Sequence, residues 1–290
     1  MLGSRTHISL RSVLFATDFS SCSEAAMLYG IAMSRRYGAT LYTVSVVSSE
    51  ITYDAQPPDP FYLRHSAEKK MAKLVSSGLF HGITHLEFVK AEFESVSSVL
   101  LDFIDKRHID LIVLGMHGRG GIKKLVLGSV AEEIVNCAPC PVLTVGPHVP
   151  PKLTSELELQ RILCATDLQP ASAEVLSYAL ALAKDEHANL TLLHVLPTAS
   201  PSEHREAQRD IAMKQLLQLL PPGTSPSVEV QPIVAIGAPD ELIPKAAEDL
   251  RADLIVIGPH QTFHPRISAH LPWALLHRVL SRAQCPVLRV

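Results

Sequence analysis

Short apolar runs alternate with amphipathic stretches along the whole chain. Residues 111–114, LIVL, form one such run, the pattern of a strand buried on both faces. Comparable runs at 13–17, 40–47, 85–89 and 141–145 predict four more strands in the first half. In the second half the runs fall at 162–166, 189–195, 228–233, 254–257 and 286–290. Between the first two runs, Ala25, Leu28, Ile31 and Ala32 share one helical stripe. Ser20 or Ser21 is the predicted N-cap there, with Ser21 and Glu24 at capping-box spacing, and Gly38 closes the helix near Tyr37. Further helices are predicted at 62–77, 96–106, 130–136, 172–184, 203–220, 240–250 and 274–282. The proline-rich stretch 56–60 reads as a rigid turn. Strands that alternate with helices imply a parallel sheet covered on both faces, joined by right-handed crossovers.

The pattern occurs twice. SVLFAT before Asp18 returns as RILCAT before Asp167. DLIVLG at 110–115 returns as DLIVIG at 253–258, and CPVLT at 140–144 as CPVLR at 285–289. These landmarks are offset by 149, 143 and 145 residues, a spacing that marks duplication of a whole domain. The expected domains are 1–147 and 159–290, joined by a proline-rich linker at 148–158. The closing strands 141–145 and 286–290 are expected at sheet edges.

One stretch of the first copy carries chemistry. After the strand at 111–114 come Gly115, Gly118, Gly120 and Gly121, with Arg119, Lys123 and Lys124 among them. Gly128 and Ser129 then open a helical pattern. Glycines let backbone amides approach an anion, and a helix N-terminus offers unpaired N–H groups and the positive end of its dipole. Ser129 and Glu132 stand at capping-box spacing, which predicts Ser129 as the cap. In open parallel sheets ligands bind beyond the strand C-termini where the strand order reverses. With the first and fourth strands as neighbours, Asp18 and the glycine segment line one crevice. Asp18 has a second reading, as a cap or turn residue for the helix that follows.

Composition narrows the ligand. Net charge is −3, so the cationic segment is a local exception and favours a small anion over a nucleic-acid polymer. No apolar run approaches the ~18 residues of a membrane span, and residues 1–10 lack the pattern of a signal peptide. Cysteines number five and are sparse, which fits reduced thiols and a cytoplasmic location. Cys137 and Cys140 form a C-x-x-C, but at the end of a helix, where the dipole does not favour a thiolate. His260, His264, His270 and His277 lack the spacing of a zinc site. The chain contains no G-x4-GK[ST] loop, so it is no P-loop NTPase, and rapid phosphoryl transfer is not supported.

Ala16-Thr17-Asp18, the run 110–115, the pattern Gly115-x2-Gly118-x9-Gly128-Ser129 and Cys140-Pro141-Val142 together resemble the universal stress protein (UspA-like) family in its tandem form. The resemblance covers essentially the whole chain. It implies an α/β fold of two tandem five-stranded parallel-sheet domains, similar to adenine nucleotide alpha hydrolases and Rossmann-like folds. It implies ATP as ligand, with or without Mg²⁺. Position by position, it sets Asp18 on the adenine or ribose side and Val46 against the adenine. Gly115 would pass near the ribose. Gly118, Gly128, Ser129 and the amide of Val130 would hold the phosphates, and charge adds Arg119. Ala16, Thr17, Met116 and His117 complete the expected nucleotide-binding set. Similar proteins pair the closing strands, which implies an internal pseudo-dimer of the two copies, a homodimer of chains and a regulatory protein partner.

The second copy departs from this pattern. Gly258 matches Gly115, but Gln261 stands where Gly118 would. Counting back from Cys285, Trp273 and Ala274 take the places of Gly128 and Ser129, in a segment two residues longer with Pro259, Pro265 and Pro272. The expectation is one functional nucleotide site, in the N-terminal domain, serving nucleotide-dependent stress sensing or regulation. Slow ATP hydrolysis and a nucleotide-independent scaffold are the alternatives.

Overall fold

The computed structural model describes residues 7–48, 60–92, 94–116, 128–150, 156, 158–197, 205–221, 228–258 and 271–290. The chain divides into two units, Ser9–Leu157 and the combination of Met1–Ile8 with Glu158–Val290. His7 and Ile8 thus belong to the unit of the second repeat. His7 Nδ1 lies 2.7 Å from Asp185 Oδ1, and the Ile8 N–H donates to Asp185 Oδ2 at 2.7 Å.

The N-terminal unit runs β1 (Ser12–Ala16), α1 (Ser21–Tyr37), β2 (Thr40–Ser48), α2 (Pro60–Val75), β3 (His85–Glu92), α3 (Val96–Arg107), β4 (Leu111–Gly115), α4 (Ser129–Cys137) and β5 (Val142–Val145). Its strand order is β3-β2-β1-β4-β5, and every pairing within it is parallel. β1 and β4 pair from Val13↔Leu111 to Phe15↔Val113. Val13, Leu14, Phe15, Leu111 and Val113 are fully buried, as two-faced strands require. The strand order reverses between these two strands, so a crevice opens beyond Ala16 and Gly115.

The shared aspartate of the DLIV runs works at the opposite end of the strand. Asp110 Oδ2 accepts from the N–H groups of Arg11 and Ser12 at 2.8 and 3.0 Å. Asp253 repeats this with Gln160 and Arg161, both at 2.9 Å. These carboxylates fasten the starts of neighbouring strands and lie away from the crevice.

The second unit runs β6 (Arg161–Thr166), α5 (Ser172–Glu186), β7 (Asn189–Leu196), α6 (Arg205–Gln218), β8 (Val230–Ile236), α7 (Pro239–Asp249), β9 (Leu254–Ile257), α8 (Leu271–Arg282) and β10 (Val287–Arg289). Its order, β10-β9-β6-β7-β8, with all pairings parallel, repeats the first. Pro232 sits in β8, which ends this order and pairs only with β7, where a missing N–H is tolerated. Pro244 lies inside α7, and its ring leaves the carbonyl of Asp240 without its helical donor. The Arg282 guanidinium donates to that oxygen at 3.3 Å.

Capping corrects two details of the sequence reading. α1 is capped by Ser20, whose Oγ accepts from the Ser23 N–H, so Ser21 and Glu24 do not form its box. α4 is capped by Gly128, without a side-chain hydrogen bond. Ser129 is therefore the first helical residue, and its hydroxyl does not close a box with Glu132. Gly38 ends α1 at φ 64°, in the left-handed region that glycine enters freely.

Candidate functional site

The crevice of the N-terminal unit starts from the turn after β1. The Thr17 N–H donates to Val44 O at 2.9 Å, fastening the strand end to β2. Thr17 Oγ1 accepts from the Phe19 N–H, and Asp18 Oδ1 accepts from the Ser20 N–H, each at 3.0 Å. Together these bonds hold Phe19 at φ 61°, a region rarely used by a bulky side chain. Leu168 repeats the conformation at φ 60°, with Thr166 and Asp167 in the matching roles. Asp18 thus shapes the turn, while Ser20 caps the helix. Asp18 is half-buried as a residue, and its Oδ2 is buried.

Gly115, at the end of β4, stands against the α1 backbone. A Cβ there would lie 2.7 Å from both C and O of Cys22 and 2.9 Å from the Ser23 N. The absence of a side chain is what lets α1 close over the strand end. Met116 is fully buried, its N–H donating to Val145 O at 3.0 Å. Its carbonyl accepts from the Gly128 N–H, also at 3.0 Å. That bond sets the start of α4 at the C-terminal end of β4. Gly128 supplies no side chain to the first-turn amides, and Ser129 is exposed. Positive helix-end potential therefore faces the same crevice as Asp18.

Of the residues expected at the site, Ala16, Thr17, Asp18, Gly115, Met116, Gly128, Ser129 and Val130 gather at the C-terminal ends of β1 and β4. Val46, half-buried, lies on β2 two residues past the Val44 carbonyl that holds Thr17. His117, Gly118 and Arg119 lie outside the described residues, as do Gln261, His260, His264 and His270.

The matching crevice of the second unit is built differently. α8 has 12 residues and α4 has 9, while both end three residues before the cysteine of the closing CPV run. The inserted length therefore enters the helix, and Trp273 becomes a residue of its first turn instead of a cap. Three residues extend a helix by ~4.5 Å. Leu275, the counterpart of Val130 at the 145-residue offset, lines a cavity of about 300 Å³. Thr166, Asp167 and His194 line it too. His194 was not singled out from the sequence. Its counterpart by strand register is Ser45, since Ala16 pairs with Val44 and Ala165 with Leu193.

All five cysteines are free thiols. Burial pushes Cys164 and Cys285 up to about 12, which leaves them protonated and unreactive. No group of three metal-ligating side chains occurs among the described residues. Among them, too, no helix is long and apolar enough to cross a membrane.

Two doubly wound parallel arrangements of strands, each with a strand-end aspartate turn beside the switch point, define a tandem α/β protein. The model of the universal stress protein family matches residues 9–146 and again 158–290, and the chain belongs to that family. A universal stress protein of Methanocaldococcus jannaschii is 26% identical over 142 residues, 47% of this chain and 81% of its own length. In fold, the chain is similar to the crystal structure of a universal stress protein from Archaeoglobus fulgidus, at TM-score 0.70 and 17% identity, covering 98% of this chain and 97% of that one. A functionally unknown protein of Pseudomonas aeruginosa PAO1 gives 0.61 at 19% identity, covering 97% and 92%.

Proposed function

We propose that the N-terminal repeat, residues 1–147, binds ATP and that the chain acts as a nucleotide-dependent regulator in a stress response. The observation that carries this reading is the α4 N-terminus. It begins at a glycine cap, hydrogen-bonded to Met116 at the end of β4, and that cap has no side chain to bond the first-turn amides. That end attracts phosphate. In the bound state Asp18 holds the adenine or ribose side and Val46 packs on the base. Gly115 and Met116 flank the ribose. Gly118, Arg119, Gly128, Ser129 and Val130 surround the phosphates, with His117 beside them. The family resemblance of the Gly115-x2-Gly118-x9-Gly128-Ser129 pattern supports the same assignment. In the second repeat, residues 159–290, α8 is three residues longer than α4 and Leu275 stands in place of Val130.

Titration calorimetry tests this directly. One ATP per chain is expected, with affinity lost on Gly118→Ala and reduced about tenfold or more on Asp18→Ala, the scale of a hydrogen bond to a charged group. Two equivalent sites per chain would overturn the reading.

A further inference from the structure

We propose that the cavity of the second unit is a separate ligand site, which takes a compact, uncharged, largely apolar molecule bearing a single hydroxyl or amine donor. Its volume of about 300 Å³ stands at the small end of ligand pockets. Most of its wall is apolar: Val175 from α5, Leu193 and Val195 from β7, Ile243 from α7, Ile257 from β9 and Leu275 from α8. Among the described residues that line it there is no lysine or arginine, and the Asp167 carboxylate is one of them. An anionic group placed against Asp167 meets repulsion there, while an uncharged one does not.

The polar groups at one end specify the ligand's single handle. Asp167 Oδ1 accepts from the Gln169 N–H and the Ser172 Oγ–H, at 3.0 and 2.6 Å. Thr166 Oγ1 accepts from the Leu168 N–H. These atoms serve the turn. His194 is buried, and its Nδ1 lies 2.8 Å from the Thr166 carbonyl oxygen. A carbonyl only accepts, so Nδ1 carries the hydrogen, and Nε2 of the neutral ring is an acceptor. A donor on the ligand completes it. The N-terminal unit has Ser45 at this position, so the feature belongs to the second repeat alone.

Equilibrium dialysis of the full chain with 1-naphthol, naphthalene and 1-naphthyl phosphate tests the site. One 1-naphthol per chain is expected, unaffected by saturating ATP, with naphthalene bound about tenfold more weakly for want of one net hydrogen bond. 1-Naphthyl phosphate should not compete. His194→Leu should bring 1-naphthol down to the naphthalene level, His194→Gln should restore part of the difference, and Ile243→Trp should abolish binding of both. All three variants should keep their ATP affinity, which also verifies their folding. Displacement by ATP, equal binding of the three probes, or full binding in both His194→Leu and Ile243→Trp would overturn the proposal, and so would no saturable binding. ATP binding is read in the same samples, so loss of the naphthol site and loss of the nucleotide site are distinguishable.

Discussion

Gly115 and Gly258 occupy the same place in the repeat, yet they tolerate substitution differently. At Gly115 an added methyl meets backbone atoms of Cys22 and Ser23. Backbone cannot rotate aside, so Gly115→Ala should cost ~1–3 kcal/mol, the usual range for overpacking. At Gly258 the obstacle is Val175 Cγ2, at 2.6 Å. Gly258→Ala should therefore be rescued by Val175→Ala, whereas Cys22→Ala should not rescue Gly115→Ala. Urea unfolding of the four variants checks the contrast, and equal rescue at both sites would refute it. The glycine was legible in the sequence, but its neighbour was not. α1 touches β4 only because the fold brings together residues some 90 positions apart. Asp18 was likewise legible as a strand-end carboxylate. Its hydrogen bond from the Ser20 N–H bears out the turn part of its second reading, while the helix cap belongs to the serine.

Among the elements, periodicity recovered the order of strands and helices because the buried strands are short uninterrupted apolar runs. It failed where side-chain chemistry competed for one role. Ser129 with Glu132 matched a capping box, but Gly128 takes the cap position. A glycine cap leaves no side-chain signal to read. β3 extended past its apolar core through Lys90, Ala91 and Glu92, because pairing with β2 continues to Ser48. β3 also carries a pH-dependent element. His85 stacks on Phe80 with centroids 3.9 Å apart, and its Nε2 lies 2.9 Å from Thr43 Oγ1. Burial lowers its pKa, against a smaller opposing pull from Glu87. The folded state then binds fewer protons than the unfolded state near the ordinary histidine pKa, so stability falls as pH drops through that range. Unfolding midpoints should decline from about pH 7 to pH 5, and His85→Gln should flatten that decline. An unchanged slope in the variant would show that the decline comes from other groups.

At the scale of the molecule, duplication was plain in the sequence because three landmark runs recur. The asymmetry between the copies was legible in part. Trp273 in place of a cap glycine pointed to a lost phosphate site. The cavity of that unit did not show, since its walls come from six elements spread over residues 165–275. ATP should therefore stabilise one unit selectively. At ~100 times Kd the gain is ~2.7 kcal/mol for the state that binds it. Native-state hydrogen exchange should slow in β1 and β4 and stay constant in β6 and β9. Equal protection in both units would refute a single site.

The hydrogen bond from Gly128 N–H to Met116 O ties the end of β4 directly to the start of α4, a join made whatever the length of the sequence between them. Doubling the length of a flexible connection costs only ~0.6 kcal/mol in closure entropy. Under the proposed assignment, the two copies of the doubled domain can hold different ligands on the same framework, because the strand–helix join does not depend on the ligand.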